Sequence, residues 1–325
     1  MTQSKNETPM MNLSSENITE NVKRINEAPD KPRLSYIMER LVSHVHDFAR
    51  ETRLSTKEWL AGIDYLTAVG VRQKSEFMLL SDILGLSLLV DSIDHPKPPG
   101  STEGTLIGPF HSHEAEVMQN GDSISHDTNG TPCLVLGSVK DRQGQPIPGV
   151  KVDAWETDSS GHYDLQNEHR QNLDGRAVLE SDPDGRFWFE AIIPVMYPIP
   201  HDGPVGQLLA LLGRHPWRPA HMHFMFEKVG YDQLITALYM RGDPHETTDA
   251  VFGVKESLLV ETSPASDAIA AQYGIKVGTP VLKHDFVLVS EAEASKLRDD
   301  LSVKALRDLG RKVKIVDGLP VPDVD

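Results

Sequence analysis

His221 and His223 stand two residues apart in the run Gly213-Arg-His-Pro-Trp-Arg-Pro-Ala-His-Met-His-Phe224. On a strand such positions share a face, so both imidazoles can reach one metal ion. The pair alone does not choose among zinc, copper and iron, all of which accept imidazole, and His-x-His is as readily a structural or surface feature. Two tyrosines lie nearby in the sequence. Tyr163 closes Trp155-Glu-Thr-Asp-Ser-Ser-Gly-His-Tyr163, and Tyr197 opens Tyr197-Pro-Ile-Pro-His-Asp-Gly-Pro-Val-Gly206. Taken singly, a tyrosine after a glycine turn at a strand end is more often a core or corner residue than a ligand. Arg218, three residues before His221, could stabilise negative charge or form a surface salt bridge; Arg214 and His215 beside it read as structural. Asp82 is an acid among Leu80, Ile83 and Leu84, suited to binding a hydroxyl group or to a hydrogen bond within its own helix.

These residues need a scaffold, and the apolar spacing describes one. Residues 1–29 are rich in Asn, Ser, Glu and Thr and read as a flexible tail. Leu34, Ile37, Met38, Leu41, Val45 and Phe48 recur at steps of three and four, one stripe of an amphipathic helix. Ser55-x-x-Glu58 is a capping box ahead of Trp59, Ile63, Leu66 and Val69, and a third helix fits Phe77, Leu80, Leu84 and Leu88. After Gly100 the period shortens. Strands are expected at Cys133–Val139, Val150–Ala154, Arg186–Ile193, His221–Glu227, Leu234–Met240 and His284–Val289, with Gly, Pro and Asp clusters between them. Several short strands with little helix between them argue for an antiparallel sandwich. A second capping box, Ser290-x-x-Glu293, starts a helix to Leu309, and the Pro320/Pro322 segment is expected to fray.

Composition removes other classes. The 325 residues contain a single cysteine, Cys133, which rules out a disulfide framework and any zinc site built from several thiolates. Net charge is −16, with 32 Lys and Arg against 48 Asp and Glu, a field that repels nucleic-acid backbones. The one tight basic cluster, Arg311, Lys312 and Lys314, is too small to reverse that, so no nucleic-acid partner is expected. No stretch reads as a signal peptide or membrane span, and a cytoplasmic location is expected.

The glycine and proline spacing Gly137-x6-Gly144-x3-Pro148-Gly149-x5-Trp155, then Tyr163, Tyr197 and Arg218-Pro-Ala-His-x-His223, resembles the intradiol ring-cleaving dioxygenases, the catechol and hydroxyquinol 1,2-dioxygenases. The likeness runs from about residue 30 to 290. It implies a mainly β fold with α: an antiparallel β-sandwich catalytic domain over 104–290, preceded by a helical dimerisation and linker domain over 30–103. Residues 291–325 form a C-terminal extension longer than usual for the family. The resemblance implies one non-haem Fe(III) per subunit, held by Tyr163, Tyr197, His221 and His223. That residue set suits the ion, since ferric iron favours anionic oxygen and a phenol ionises near such a charge. Tyr197 is the implied tyrosinate that leaves and takes a substrate proton, and Arg218 is implied to stabilise charge developing on the substrate.

By the same resemblance Leu79, Asp82, Leu106, Ile107, Gly108, Pro109, Phe110, Ile199, Pro200, Arg218 and Val251 line the substrate pocket. The segments Leu106–Phe110, Tyr197–Gly206, Phe77–Asp82 and Asp249–Gly253 look more like the hydroxyquinol branch than the catechol branch. The implied reaction is cleavage of hydroxyquinol, benzene-1,2,4-triol, by O2 to 3-hydroxy-cis,cis-muconate, the enol of maleylacetate. Catechol or substituted catechols, giving cis,cis-muconates, are the alternative within the family. A zinc- or copper-binding sandwich acting as hydrolase or binding module, or a sandwich for protein interaction, are the alternatives outside it. Family members also pair as homodimers through the N-terminal helices, several with a phospholipid at that interface, and the same is implied here. One departure stands out: Ala237 occupies a position where the family commonly carries a polar Gln or His.

Overall fold

The computed structural model describes residues 13–26, 30–71, 74–112, 114–166, 173–308, 310, 312–316 and 319–322. By its contacts the chain divides into two units, residues 1–66 with 299–325, and residues 67–298.

The first unit begins with α1 (Ile18–Ile25) and α2 (Pro32–Glu51). α1 corrects the expectation of a flexible tail. Its composition is polar, but Ile18, Val22 and Ile25 recur at helical spacing, and Arg50 on α2 donates to the Ser15 carbonyl (2.8 Å) while Thr19 bonds His46 (2.9 Å). Residues 1–12 and 27–29 of that expectation lie outside the described residues. α2 starts on Pro32 at N1, where a missing N–H costs nothing. Its stripe Leu34, Ile37, Leu41, Val45 and Phe48 forms as the spacing predicts, yet each of these residues is about half exposed in the single chain. α3 (Thr56–Val71) straddles the boundary between units and begins at the capping box, where Ser55 and Glu58 bond reciprocally.

In the second unit the expected third helix is broken in two, α4 (Lys74–Ile83) and α5 (Leu86–Asp94). Between them Gly85 takes φ +72°, a left-handed conformation that ends one helix and redirects the next. The strands then follow: β1 (Pro132–Lys140), β2 (Lys151–Trp155), β3 (Arg176–Glu180), β4 (Arg186–Ile192) and β5 (Tyr197–Pro198). A short helix, α6 (Pro204–Leu211), comes next, in a segment whose glycines and prolines suggest only a loop. β6 (Trp217–Arg218), β7 (His221–Glu227), β8 (Leu234–Met240), β9 (Leu259–Val260), β10 (Thr262–Pro264), α7 (Asp267–Tyr273) and β11 (Pro280–Val287) follow, and then α8 (Glu291–Asp308), whose residues from 299 on are counted with the first unit.

The two larger sheets are β10-β11-β1-β4 and β3-β2-β7-β8-β9, with β5 and β6 pairing as a separate two-stranded ribbon. The expected sandwich is there, but it is not wholly antiparallel: β1 pairs with β11 in parallel, as β8 does with β9. Parallel neighbours need a long crossover, and β1 and β11 lie at opposite ends of the sandwich sequence, so nothing in either strand announces the direction of pairing. The core between the sheets is aromatic. Phe187, Phe189 and Phe286 meet Phe224 and Phe226, with Phe226 and Phe286 ring centroids 4.5 Å apart. Gly137 lies in register with Phe187, and a Cβ there would fall 2.1 Å from the ring. Along β7 the side chains of Met222, Phe224 and Phe226 enter this core, so His221 and His223 face the other way.

The chain ends in a hairpin, β12 (Val313–Val316) with β13 (Leu319–Pro322), which belongs to the first unit and corrects the expected frayed end. Pro320 and Pro322 are two apart, so both missing N–H groups fall on one edge and the other edge remains free to pair. Arg311 of the basic cluster is outside the described residues. Among the described residues no helix is long and apolar enough to cross a membrane.

Candidate metal centre and substrate pocket

All the chemistry-bearing residues lie within the second unit. Behind the β7 histidines, β2 places Trp155 in register with His223, and the two rings stack at 4.9 Å with 5° between planes. The His221 and His223 Nε2 atoms are 3.1 Å apart, and both side chains are buried. His221 Nδ1 lies 2.7 Å from the Pro219 carbonyl, an acceptor only, so its proton sits on Nδ1 and its lone pair on Nε2. Burial, helped by the Arg218 charge, holds both imidazoles well below their ordinary pKa and therefore neutral, the form that binds metals.

Tyr163 follows the turn at Asp158–Gly161. Gly161 has φ +81°, and a Cβ on it would come within 2.9 Å of Tyr197 Cβ, so glycine lets the two tyrosine segments approach. The hydroxyls of Tyr163 and Tyr197 are 3.3 Å apart. Phe110 stacks on Tyr163 at 5.0 Å, and its carbonyl accepts from Arg176, whose Nε also donates to buried Asp164 at 2.8 Å. Burial first, then neighbouring Tyr197, raises the Tyr163 pKa well above that of a free phenol. In this surrounding a phenolate needs a cation beside it.

Arg218 enters by another route. β5 and β6 pair so that Tyr197 and Arg218 are opposite each other. Arg218 Nη1 is 2.9 Å from His221 Nε2 and 3.4 Å from the Tyr197 hydroxyl. On its other side Nε and Nη2 donate to the two oxygens of Asp249, at 3.2 and 3.4 Å. Burial works against its charge, but Asp249, Tyr197 and Tyr239 outweigh it and hold the guanidinium pKa well above its usual value. The surface salt bridge considered from sequence is thus a buried one. Arg214 donates at 2.7 Å to the carbonyls of Ile83 and Ala250, a bracing role, in keeping with its structural reading.

Two phenols and two neutral imidazoles therefore converge in one buried place. Among the described residues no three His, Cys, Asp or Glu are grouped to hold a metal. The phenols beside the imidazole pair are Tyr197, its ring centroid 5.4 Å from that of His221, and Tyr163, 6.4 Å from that of His223. Oxygen donors of high proton affinity beside neutral nitrogens suit a hard trivalent cation, whereas structural zinc favours thiolate-rich sets and copper takes imidazole and thiolate.

A cavity adjoins these donors. Its walls are Leu79, Asp82, Leu106, Gly108, Pro109, Phe110, Tyr197, Ile199, Arg218 and Val251. Ile107 packs instead against the Trp155–Tyr163–Tyr197 cluster, and Pro200 is not among the walls. α4 contributes Leu79 and Asp82, and Glu76 on the same helix accepts from the Val205 N–H at the start of α6, fixing one wall to the other. Asp82 is 5% exposed. Burial raises its pKa, opposed by the Ser87 hydroxyl and the Arg218 charge.

Sequence reasoning missed three residues here: Tyr239, Asp249 and Thr105. Tyr239 is in register with His221 across β7–β8, and Ala237 with His223. The register read from sequence for Ala237 places it where a polar group would meet His223, and His223 Nδ1 is buried without a hydrogen-bond partner. Period-two alternation puts residues 237 and 239 on one face of β8, but only the pairing brings that face to the histidines.

Comparison with known proteins agrees with this geometry. Residues 106–289 match the dioxygenase family model, and residues 31–102 match the catechol dioxygenase N terminus. An intradiol ring-cleavage dioxygenase of Aspergillus niger is 62% identical over 322 residues, covering 98% of this chain and 97% of that one. A 6-chlorohydroxyquinol 1,2-dioxygenase of Cupriavidus pinatubonensis is 45% identical, covering 86% and 99%. The crystal structure of hydroxyquinol 1,2-dioxygenase from Pseudomonas putida superposes with a TM-score of 0.78 at 39% identity, covering 85% and 99%. A sandwich with helices before it, a tyrosine–histidine donor set and these likenesses over nearly the whole length lead to one conclusion: the chain belongs to the intradiol ring-cleavage dioxygenases.

Proposed function

We propose that the chain cleaves hydroxyquinol between its two adjacent hydroxylated carbons, inserting both atoms of O2 to give 3-hydroxy-cis,cis-muconate, the enol of maleylacetate. The observation that carries this reading is Asp82, a carboxyl in an otherwise apolar wall of the cavity beside Tyr197 and Arg218. A triol differs from a diol by one hydroxyl, and a buried acid placed for it rewards the triol and penalises its absence. The similarity to enzymes named for hydroxyquinol and 6-chlorohydroxyquinol supports the same substrate class.

The family uses non-haem iron, and the donor set fits it. In this reading Tyr163, Tyr197, His221 and His223 hold one Fe(III). When bound, the ion supplies a hard Lewis acid that stabilises deprotonated phenols and a chelated diolate. The chain's own residues do the rest. Tyr197 Oη accepts a proton from a substrate hydroxyl, and Tyr163 stays in place under the stacked Phe110. Arg218 sets a fixed positive charge beside Tyr197, where the ring gains negative charge. Leu79, Leu106, Ile199 and Val251 exclude water, and Asp82 bonds the third hydroxyl. The implied domain division, a helical dimerisation region ahead of a catalytic sandwich, is also part of this reading. Half-exposed apolar residues along α2 support a homodimer through that helix, and a phospholipid at that interface rests on the family resemblance alone.

The test is the ratio of kcat/KM for hydroxyquinol against catechol and 4-chlorocatechol, with the product identified by mass and absorbance. A ratio favouring hydroxyquinol, with a ring-opened product heavier than the triol by the mass of one O2 molecule, agrees with the proposal; a preference for catechol overturns it.

A further inference from the structure

We propose that Tyr239 is a positioning residue that fixes the Arg218 guanidinium, an inference that rests on the role given to Arg218 above. A guanidinium has five N–H donors, and each has a partner here. Nε–H and one Nη2–H go to Asp249, at 3.2 and 3.4 Å. The second Nη2–H goes to the Tyr239 hydroxyl at 3.2 Å. The two Nη1 donors face His221 Nε2 and the Tyr197 hydroxyl. Those last two acceptors are the atoms assigned to metal binding, so the Nη1 donors are the ones freed for a substrate. The group then keeps its orientation from the other three, and Tyr239 is the only one of these anchors that does not come from Asp249.

The direction of the hydrogen bonds suits that task. Thr105 Oγ1 donates to the Gly253 carbonyl at 2.9 Å, which leaves its lone pairs toward the Tyr239 hydroxyl 3.4 Å away. Tyr239 therefore donates to Thr105 and presents its own lone pairs to Arg218. The slot is made for a hydroxyl: a Cβ at residue 253 would come within 2.5 Å of the Tyr239 oxygen and 3.1 Å of Arg218 Nη2. β8 thus carries its polar group opposite His221, at Tyr239, and none opposite His223, at Ala237.

The experiment compares Tyr239→Phe, Thr105→Val and the double variant in iron-loaded protein. It records kcat and KM for hydroxyquinol, the visible spectrum, iron content, and the Kd of 4-nitrocatechol from its absorbance. A hydrogen bond to a charged donor sets the scale, so Tyr239→Phe is expected to lower kcat about tenfold, with KM, Kd and spectrum nearly unchanged. Thr105→Val is expected to lower kcat less, and the double variant no further than Tyr239→Phe alone, because Thr105 acts through the phenol. Unchanged kcat, additive losses, or loss of iron with an altered spectrum would each overturn the proposal. Should Tyr239→Phe fail to fold, Thr105→Val decides: lower kcat with an intact spectrum supports the proposal, and unchanged kcat overturns it. Failure of the functional reading itself looks different, as wild-type protein that neither binds 4-nitrocatechol nor cleaves the triol.

Discussion

Replacing Asp249 with asparagine removes one negative charge from a place where water cannot substitute for it. The Arg218 and Asp249 side chains are 3% and 2% exposed. One carboxylate oxygen accepts from Arg218 Nε and the Val251 N–H at 3.2 and 3.3 Å, the other from Arg218 Nη2 and the Gly253 N–H at 3.4 and 2.9 Å. In Asp249→Asn the amide oxygen can keep one pair, but the amide N–H groups then meet the other two donors. Arg218 stays charged, because a guanidinium is not deprotonated inside a protein, and it loses the carboxylate counter-ion in contact with it. Breaking such a buried pair costs about 3 kcal/mol or more. For a unit the size of residues 67–298 that corresponds to a fall in Tm of about 6–12 °C. The same change frees Arg218 to rotate, so kcat should fall about tenfold or more. Differential scanning calorimetry and steady-state kinetics on wild type and variant measure both. The exposed pair Arg241–Glu256, at 2.8 Å, provides the contrast: Glu256→Gln should leave Tm within about 1 °C. An Asp249→Asn protein with wild-type Tm and kcat would refute the argument.

Other expectations follow from separate parts of the molecule. Asp82→Ala should lower the kcat/KM preference for hydroxyquinol over catechol by about 10–100-fold, the value of a hydrogen bond to a charged group; an unchanged ratio removes Asp82 from substrate recognition. Gly137→Ala drives a methyl into the Phe187 ring and should cost about 1–3 kcal/mol, partly recovered in Gly137→Ala/Phe187→Leu; a Tm equal to wild type would show that the core yields there. Glu156 is buried, its Oε1 accepts from the Ile192 N–H, its Oε2 has no partner, and burial raises its pKa well above 4.5. The folded state keeps its proton where the unfolded state loses it, so wild-type stability is full below the unfolded pKa and falls as pH rises toward the folded one. Glu156→Gln should therefore match wild type near pH 4 and gain on it above, by about 1.4 kcal/mol per pH unit across that window; parallel Tm curves would contradict this.

The sequence was most legible where local spacing alone decides structure. His221 and His223 share a face because any strand makes i and i+2 do so. The stripe on α2 follows from helical period, and the boxes at Ser55–Glu58 and Ser290–Glu293 form the reciprocal bonds their spacing predicts. What was missed depends on partners distant in sequence. The parallel pairing of β1 with β11, the placement of Tyr239 opposite His221 and the burial of Asp249 against Arg218 leave no periodic mark in either partner. The break at Gly85 was present as a residue type, but a glycine inside a helical pattern states only that a turn is permitted. Helix α1 was lost because its short stripe, Ile18, Val22 and Ile25, lies in a segment of polar composition, and the final hairpin because a proline-bearing segment carries little strand signal; Arg50 helps to order the first and backbone pairing the second.

The central claim is that Tyr163, Tyr197, His221 and His223 together hold ferric iron and that substrate joins them there. The most direct measurement is the visible spectrum of the purified protein before and after anaerobic addition of hydroxyquinol. The account expects a broad tyrosinate-to-iron band that moves to longer wavelength on addition, weakened or shifted beforehand in Tyr163→Phe. A protein that stays colourless after reconstitution with ferric iron would contradict it and leave the two imidazoles without their proposed metal.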